Sequence, residues 1–212
     1  MNSLYVGVDI GRSADPTAIV VEMVYRPSDV TQPNAWLPLR HRILWIQRVP
    51  LGRPWQEIVE AIAVTAEGAA ALGPTMIAVD ATGLGNPVVE MLRARCRVSL
   101  RAITLTGGTK VVQEGYEMSV PKRDVVTTLE CVVQSRRHEC VPDCPSQQDL
   151  ITELKSFNYS LAGGHLTYEA RQGHDDLCMA WAMALWLAER YEGGQAAVFH
   201  QVAQMRLAER RQ

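Results

Sequence analysis

The stretch from Leu4 to Asp9 reads Leu-Tyr-Val-Gly-Val-Asp, an apolar run that ends in a carboxylate. Such a run predicts a buried strand, and a second one, Thr75–Val79, is followed by Asp80 in the same manner. A third acidic position, Asp175-Asp176, opens a long apolar helical pattern. Carboxylates delivered to the ends of separate elements favour a cation site, because hard divalent ions prefer several oxygen ligands.

The segments around the first two acids predict a mixed sheet. Thr17–Tyr25 and His41–Val49 are rich in β-branched residues and are predicted to pair antiparallel with the first strand. Trp55–Leu72 repeats its apolar residues at helical spacing, and Val98–Leu105 predicts one more strand after Asp80. Three antiparallel strands followed by parallel strands and crossover helices predict an α/β fold with helices on both faces.

The second half of the chain predicts further helices and a hairpin. Residues 106–119 form a long polar segment, which we predict to be a mobile functional loop. The remaining predicted elements are a helix Pro121–Arg136, a short strand at Val141, a helix Ser146–Lys155 capped by Ser146, a hairpin Phe157–Ser160 with His165–Glu169, and a helix Asp175–Arg190. We expect one domain over residues 1–192 and a C-terminal tail, helical or partly disordered, over 193–212.

Composition sets limits on the kind of protein. A chain of 212 residues with 47% hydrophobic residues can bury the core of one α/β domain, which argues against disorder. The net charge of −2 gives no global signature of nucleic-acid binding, so such a partner would need a local basic face. The apolar runs fall short of the roughly 18 residues that a membrane span requires, so we expect no membrane association.

The cysteines favour a reducing compartment. They are five in number, an odd count, and no signal peptide precedes the first strand. Cys140 and Cys144, with His138 nearby, give only a weak zinc signal, since no second cysteine pair accompanies them.

The acidic residues predict a site for two metal ions. Asp9, on the central first strand, is the candidate for the bridging carboxylate, with Asp80 on one ion and Asp176 on the other. Asp15, Asp175 and His174 are accessory candidates. Only one of two adjacent helical residues can face the site, and the apolar face that follows favours Asp176. The plainer alternative is that each aspartate is a turn former or a helix cap.

A family resemblance rests on four stretches of this sequence. They are Gly7-Val8-Asp9-Ile10-Gly11 with Asp15, IAVDATGLGNPVVEML at 77–92, VPKRDVV at 120–126, and HDDLCMAWAMAL at 174–185. In these the chain resembles the C-terminal nuclease domain of the large terminase subunit of tailed bacteriophages, over residues up to about Arg190. Between the last two stretches, the same family pattern is matched by Leu150, Glu153, Leu154 and Phe157. The resemblance implies a ribonuclease H-like fold and an endonuclease dependent on two Mg²⁺ or Mn²⁺ ions, with Asp9, Asp80 and Asp176 catalytic.

The same resemblance implies a biological setting. Its substrate would be double-stranded concatemeric viral DNA, cut during genome packaging in the host cytoplasm. The family's N-terminal ATPase carries a GxxxxGK[ST] phosphate loop, which does not occur in this sequence. We therefore expect an isolated, monomeric nuclease domain whose partners would be that ATPase domain, the portal and the small terminase subunit.

Four basic residues are candidates for contacts with DNA phosphates. They are Lys110, Lys122, Arg123 and Arg12. Lys122 and Arg123 stand near the predicted start of a helix, where backbone N–H groups also attract phosphate. Taken singly, each could equally be ordinary solvated surface.

Three other functions compete with the packaging nuclease. A Holliday-junction resolvase of the RuvC type would use the same fold and ions on a junction substrate. An actin-like ATPase or sugar kinase would use Asp9-Ile10-Gly11 as a phosphate loop, but it gives the His174-Asp175-Asp176 helix no role. A non-catalytic interaction module of the same fold is the fourth possibility.

Overall fold

A computed structural model describes residues 2–11, 15–28, 37–83, 86–162, 165–170 and 175–193. Within these ranges the chain forms ten strands and five helices. The strands are β1 Ser3–Asp9, β2 Thr17–Tyr25, β3 Arg40–Val49, β4 Thr75–Asp80, β5 Ser99–Thr106, β6 Val112–Glu114, β7 Glu117–Pro121, β8 His138–Cys140, β9 Phe157–Ala162 and β10 His165–Ala170. The helices are α1 Trp55–Ala70, α2 Asn86–Arg95, α3 Lys122–Gln134, α4 Gln147–Ser156 and α5 Asp176–Glu192.

The main sheet has eight strands in the order β6-β7-β5-β4-β1-β2-β3-β8. The antiparallel strands β1, β2 and β3 are consecutive, and β4, β5 and β7 continue parallel to β1. Strands β9 and β10 form a separate hairpin. The predicted mixed sheet of antiparallel and then parallel strands is confirmed.

The alternation of side chains along β1 separates two cores. Leu4, Val6 and Val8 face the core that also contains the buried side of α1 and α2. Tyr5 lies in the other core, with the buried residues of α3, α4 and α5. Successive strand residues point to opposite faces, so this one strand contributes to both layers. The predicted helices on both faces are thereby confirmed.

Helix α5 is the most deeply buried element of the described chain. Every residue from Asp176 to Glu189 is buried, rather than one stripe of the helix. The sheet covers one side of α5, and α3 and α4 pack on others. Its alanine-rich sequence suits this position, since small side chains let three neighbours approach closely.

Three predictions about local structure are wrong. Residues 106–119 are not one loop, because β6 lies within them, β7 begins within them, and β7 pairs with β5. The strand expected at Val141 lies just before it, in β8 beside β3. Ser146 precedes α4 but makes no side-chain cap, and its φ of 51° places it in the left-handed region, among the described residues.

A buried network of charged side chains joins α5 to the sheet. His41 of β3 lies between Glu22 of β2, at 3.3 Å, and Glu189 of α5, at 3.2 Å. Arg137 forms an ion pair with Glu189, and the indole N–H of Trp181 donates to Glu22 at 2.9 Å. Two acids and two bases thus share an interior site, where each charge has a partner.

Two expectations concern the membrane and the cysteines. Within the described ranges, the structure holds no helix that could cross a membrane. The cysteines are free thiols, all in described ranges. The weak zinc signal of His138, Cys140 and Cys144 finds no support, since no three such side chains form a metal-binding group in the described part of the chain.

Candidate functional site

Asp9 and Asp80 end neighbouring parallel strands at the same level. The β1–β4 register pairs Val6 with Ile77 and Val8 with Val79, so the next row holds Asp9 and Asp80. Residues in one row of a sheet point to the same face, and neighbouring strands lie about 4.8 Å apart. Tyr5 and Gly7, four and two residues before Asp9 on β1, both face α5. Because side chains on a strand alternate between faces, Asp9 and Asp80 also point to the side of the sheet that carries α5. The strand register therefore places these two acids next to each other at one edge of the sheet, as predicted.

Gly7 fixes the direction and closeness of α5. A Cβ on Gly7 would lie 1.8 Å from the carbonyl oxygen of Ala180, so the helix backbone rests directly on this glycine. At the other end of α5, the hydroxyl of Tyr5 donates to Glu192 at 3.2 Å. Helix α5 therefore runs antiparallel to β1, and its N-terminus approaches Asp9.

That N-terminus brings two more carboxylates to the row. Asp176 is the first residue of α5 and is 6% exposed, whereas Asp175 precedes the helix and is partly exposed. Burial, followed by repulsion from Asp80, Asp176 and Asp175, raises the pKa of the Asp9 carboxyl well above its usual value. The structure thus brings three of the predicted acids, Asp80, Asp175 and Asp176, close enough to Asp9 to shift its pKa.

The carboxylate of Asp80 is held by the turn that follows β4. Its Oδ1 accepts a hydrogen bond from the backbone N–H of Thr82 at 2.7 Å, and the Thr82 hydroxyl accepts one from the N–H of Leu105 at 2.8 Å. The Asp80 side chain is therefore fixed by the backbone N–H of Thr82, and the Thr82 side chain is in turn tied to β5 through Leu105. A ligand with a fixed rotamer loses little entropy on binding.

Lys122 is the predicted basic residue that lies at the acidic cluster. It opens α3 directly after β7, and its charge lowers the pKa of Asp9 and so partly offsets the repulsion. Arg123 beside it is 48% exposed and pairs with Asp124 at 3.3 Å. Lys110 is exposed on the turn between β5 and β6. Arg12 lies outside the described residues.

The accessory acids have different outcomes. Asp15 is exposed, and it is not among the groups with the largest effect on Asp9. The backbone of Asp15 lies close to Gly11, since a Cβ on Gly11 would lie 2.0 Å from the Asp15 carbonyl oxygen. His174 lies outside the described residues, so its role stays a prediction, as does that of Asp15.

The donor set suits a hard divalent cation. Carboxylate oxygens are the ligands that Mg²⁺ and Mn²⁺ prefer, and Asp9 carries several such neighbours. In the described part of the chain, however, no three His, Cys, Asp or Glu side chains converge as a metal-binding group. The chemistry of the donors nevertheless fits these cations.

A further buried acid, which the family resemblance includes without assigning it a role, lies next to this cluster. Glu153 of α4 is 6% exposed, and its Oε2 accepts a hydrogen bond from the backbone N–H of Cys178 at 3.0 Å. Arg48 of β3 forms an ion pair with the same carboxylate. A charged residue on an amphipathic helix is expected at the surface, so the family pattern marks Glu153 but the periodicity of α4 does not indicate its burial or this contact.

Comparison with known proteins gives a likeness of fold. No family model and no curated protein sequence matches the chain. Among solved structures, the human cytomegalovirus terminase nuclease domain superposes with a TM-score of 0.54 at 14% identity, over 90% of this chain and 85% of that one. The same domain, Mn soaked and inhibitor bound, gives 0.51 at 14% identity over the same shares. Together with the sheet order, this likeness confirms the predicted ribonuclease H-like fold.

Proposed function

We propose that the chain is a nuclease that cuts the phosphodiester bonds of double-stranded DNA and depends on divalent cations. The observation that carries the proposal is the row of Asp9 and Asp80 lying beneath the helix end that bears Asp175 and Asp176. A likeness to a terminase nuclease domain, one form of which was soaked with Mn, supports the same reaction class.

Each residue of the cluster has a distinct part in this reaction. Asp9, Asp80 and Asp176 would hold two Mg²⁺ or Mn²⁺ ions, with Asp9 shared between them. When bound, such ions activate the attacking water and stabilise the leaving oxygen. Asp80 offers a preset ligand because Thr82 fixes its carboxylate. Lys122, whose charge lowers the pKa of Asp9, would supply a positive charge to the crowded phosphate.

The biological role, the partners and the accessory residues that we propose follow from the sequence resemblance to phage terminases. The domain would act as the endonuclease of a tailed-phage large terminase, cutting concatemeric DNA during packaging in the host cytoplasm. Its partners would be an N-terminal ATPase domain, the portal and the small terminase subunit. Lys110, Arg123 and Arg12 would add phosphate contacts, and Asp15, Asp175 and His174 would be accessory ligands.

A cleavage assay tests the proposal. Supercoiled plasmid and a four-way junction are incubated with the chain in Mg²⁺, in Mn²⁺ or in EDTA. The variants Asp9→Asn, Asp80→Asn and Asp176→Asn each remove one ligand charge and keep the side-chain shape. Asp143→Asn is the matched control, because Asp143 is an exposed residue at a φ of 56°, a conformation that asparagine also accepts.

The expected result is metal-dependent plasmid cleavage that falls at least 100-fold in each of the three site variants and is unchanged in the control. At a pH high enough to ionise Asp9 in the folded protein, Asp9→Asn should also raise the melting temperature in EDTA, since it removes a buried charge repelled by its neighbours. Plasmid cleavage that survives all three substitutions would overturn the site. Cleavage confined to the junction would replace the packaging role with that of a resolvase.

A further inference from the structure

The N-terminal turn of α5 is capped by another helix. The first N–H groups of any helix lack partners within it. Here the N–H of Cys178 donates to Oε2 of Glu153 at 3.0 Å, and the N–H of Leu177 also bonds that carboxylate. In the described structure, the side chain of Asp175 at the cap position makes no capping hydrogen bond. Glu153 of α4 therefore performs the capping that Asp175 leaves undone.

Glu153 is in turn anchored to the sheet. Its Oε1 pairs with the guanidinium of Arg48 in β3, which also reaches Asp149 at 3.5 Å. Burial raises the pKa of Glu153, whereas the Cys178 N–H and Arg48 act against that shift and favour the charged carboxylate. Both oxygens of Glu153 are thus committed, one to the sheet and one to α5.

The anchoring arginine stands in the same row of the sheet as the acids. The β1–β2 register pairs Asp9 with Ala18, and the β2–β3 register pairs Ala18 with Arg48. With Asp80 on the other side of Asp9, the row reads Asp80, Asp9, Ala18, Arg48 across four strands. Residues of one row share a face, so Arg48 projects towards α5 from the level of the two acids.

We propose that Glu153, held by Arg48, is the positioning residue that sets Asp176 and Asp175 over Asp9 and Asp80. The chain of contacts runs from the row to Arg48, to Glu153, to the N–H of Cys178, and so to the first turn of α5. One row of the sheet therefore bears two acids and the anchor for the other two. The role rests on the proposed function, since it concerns the cation site formed by those acids.

Loss of the cap should loosen the first turn of α5 without unfolding the rest of the helix. The N–H groups of Leu177 and Cys178 would be left buried without an acceptor, which favours local opening. Groups that orient metal ligands typically change metal affinity or activity by 10- to 100-fold when removed. The effect should thus appear in cation binding as well as in cleavage.

The test uses the full chain and four proteins: wild type, Glu153→Ala, Glu153→Gln and the control Glu139→Ala. Glu139 also pairs with an arginine of β3, Arg42, but lies away from α5. The first measurement is Mn²⁺ binding in the absence of DNA, with electron paramagnetic resonance as the readout. The second is amide hydrogen exchange at Cys178, compared with Ala184 in the middle of α5. Plasmid cleavage is the third.

For Glu153→Ala we expect the amide exchange rate of Cys178 to rise at least about 10-fold relative to that of Ala184. We also expect the Mn²⁺ concentration at half-saturation to rise about 10-fold. Glu153→Gln keeps an acceptor oxygen, so it should restore much of the Cys178 protection. Glu139→Ala should match wild type in both measurements. Unchanged Cys178 exchange in Glu153→Ala, or an equal rise at Ala184, would overturn the positioning role. Absence of Mn²⁺ binding in wild type would instead overturn the proposed function.

Discussion

At the scale of single residues, Gly7 sets the distance between α5 and the sheet. Its missing side chain lets the carbonyl of Ala180 lie where a Cβ would be, 1.8 Å from the ideal position. The contact is with backbone, which cannot rotate away as a side chain can. The glycine in the Val-Gly-Val-Asp stretch is therefore required by close approach of a helix, two residues before Asp9.

Gly7→Ala should destabilise the fold by at least the 1–3 kcal/mol typical of overpacked cores, because the helix backbone must shift to admit a methyl group. The matched control is Gly68→Ala in α1, where a Cβ meets nothing within 4 Å. It should be neutral or up to about 1 kcal/mol stabilising, as alanine is the better helix former. Urea denaturation measures both, and equal stability of the two variants would contradict the close approach.

At the scale of elements, the sheet extends further than the sequence indicates. Strand β7 lies parallel to β5, and Met118 and Val120 of β7 are buried in the core that holds α5. The segment reads as a polar loop because its edge strand β6 is fully exposed and two glycines precede it. Only three positions of β7 are buried, which is too few for a periodic pattern to appear.

Met118→Ala therefore tests whether residues 106–119 belong to the core. Met118 is 1% exposed, and its truncation should cost 2–5 kcal/mol, the usual range for a buried methionine. Val112→Ala in β6, where the side chain is 52% exposed, should cost less than about 0.5 kcal/mol. Thermal unfolding distinguishes the two. A mobile loop would tolerate both substitutions alike.

The central elements were predictable because strong local signals agree with their final positions. β1 to β4, α1 and α5 have long apolar runs or clear helical spacing, and Asp9 and Asp80 follow from strand ends alone. The cap on α5 was not predictable, since it joins residues 25 positions apart through one carboxylate. The link from Arg48 to Glu153 spans 105 positions, and no local pattern encodes such a pair.

At the scale of the whole molecule, the buried network makes stability depend on pH. Burial by itself lowers the pKa of His41, but Glu22 and Glu189 outweigh it and raise it to about 9 from 6.5. Burial likewise disfavours the charged form of Glu189, yet His41 and Arg137 lower its pKa. In the folded protein His41 is therefore protonated and lies between the carboxylates of Glu22 and Glu189. These two ion pairs link β3 to β2 and to α5.

Because the folded pKa of His41 exceeds the unfolded value, its contribution to stability is complete below pH 6.5 and is lost as the pH rises through about 9. We expect the free energy of unfolding to fall by up to roughly 3 kcal/mol across that range. His41→Gln should flatten this part of the profile. His138→Gln is the control, because burial lowers the pKa of His138 and it stays neutral there. An unchanged slope in His41→Gln would contradict a charged His41.

The position of α5 in the chain also decides when the acidic cluster comes into existence. Asp9 and Asp80 are placed by strands synthesised early, whereas Asp175 and Asp176 come 95 and 96 residues after Asp80 in the chain order. A nascent chain that has reached only β7 carries half of the cluster and none of the helix that closes it. During translation the site is therefore assembled last, so a ribosome-bound or truncated fragment ending before α5 has no complete set of acids.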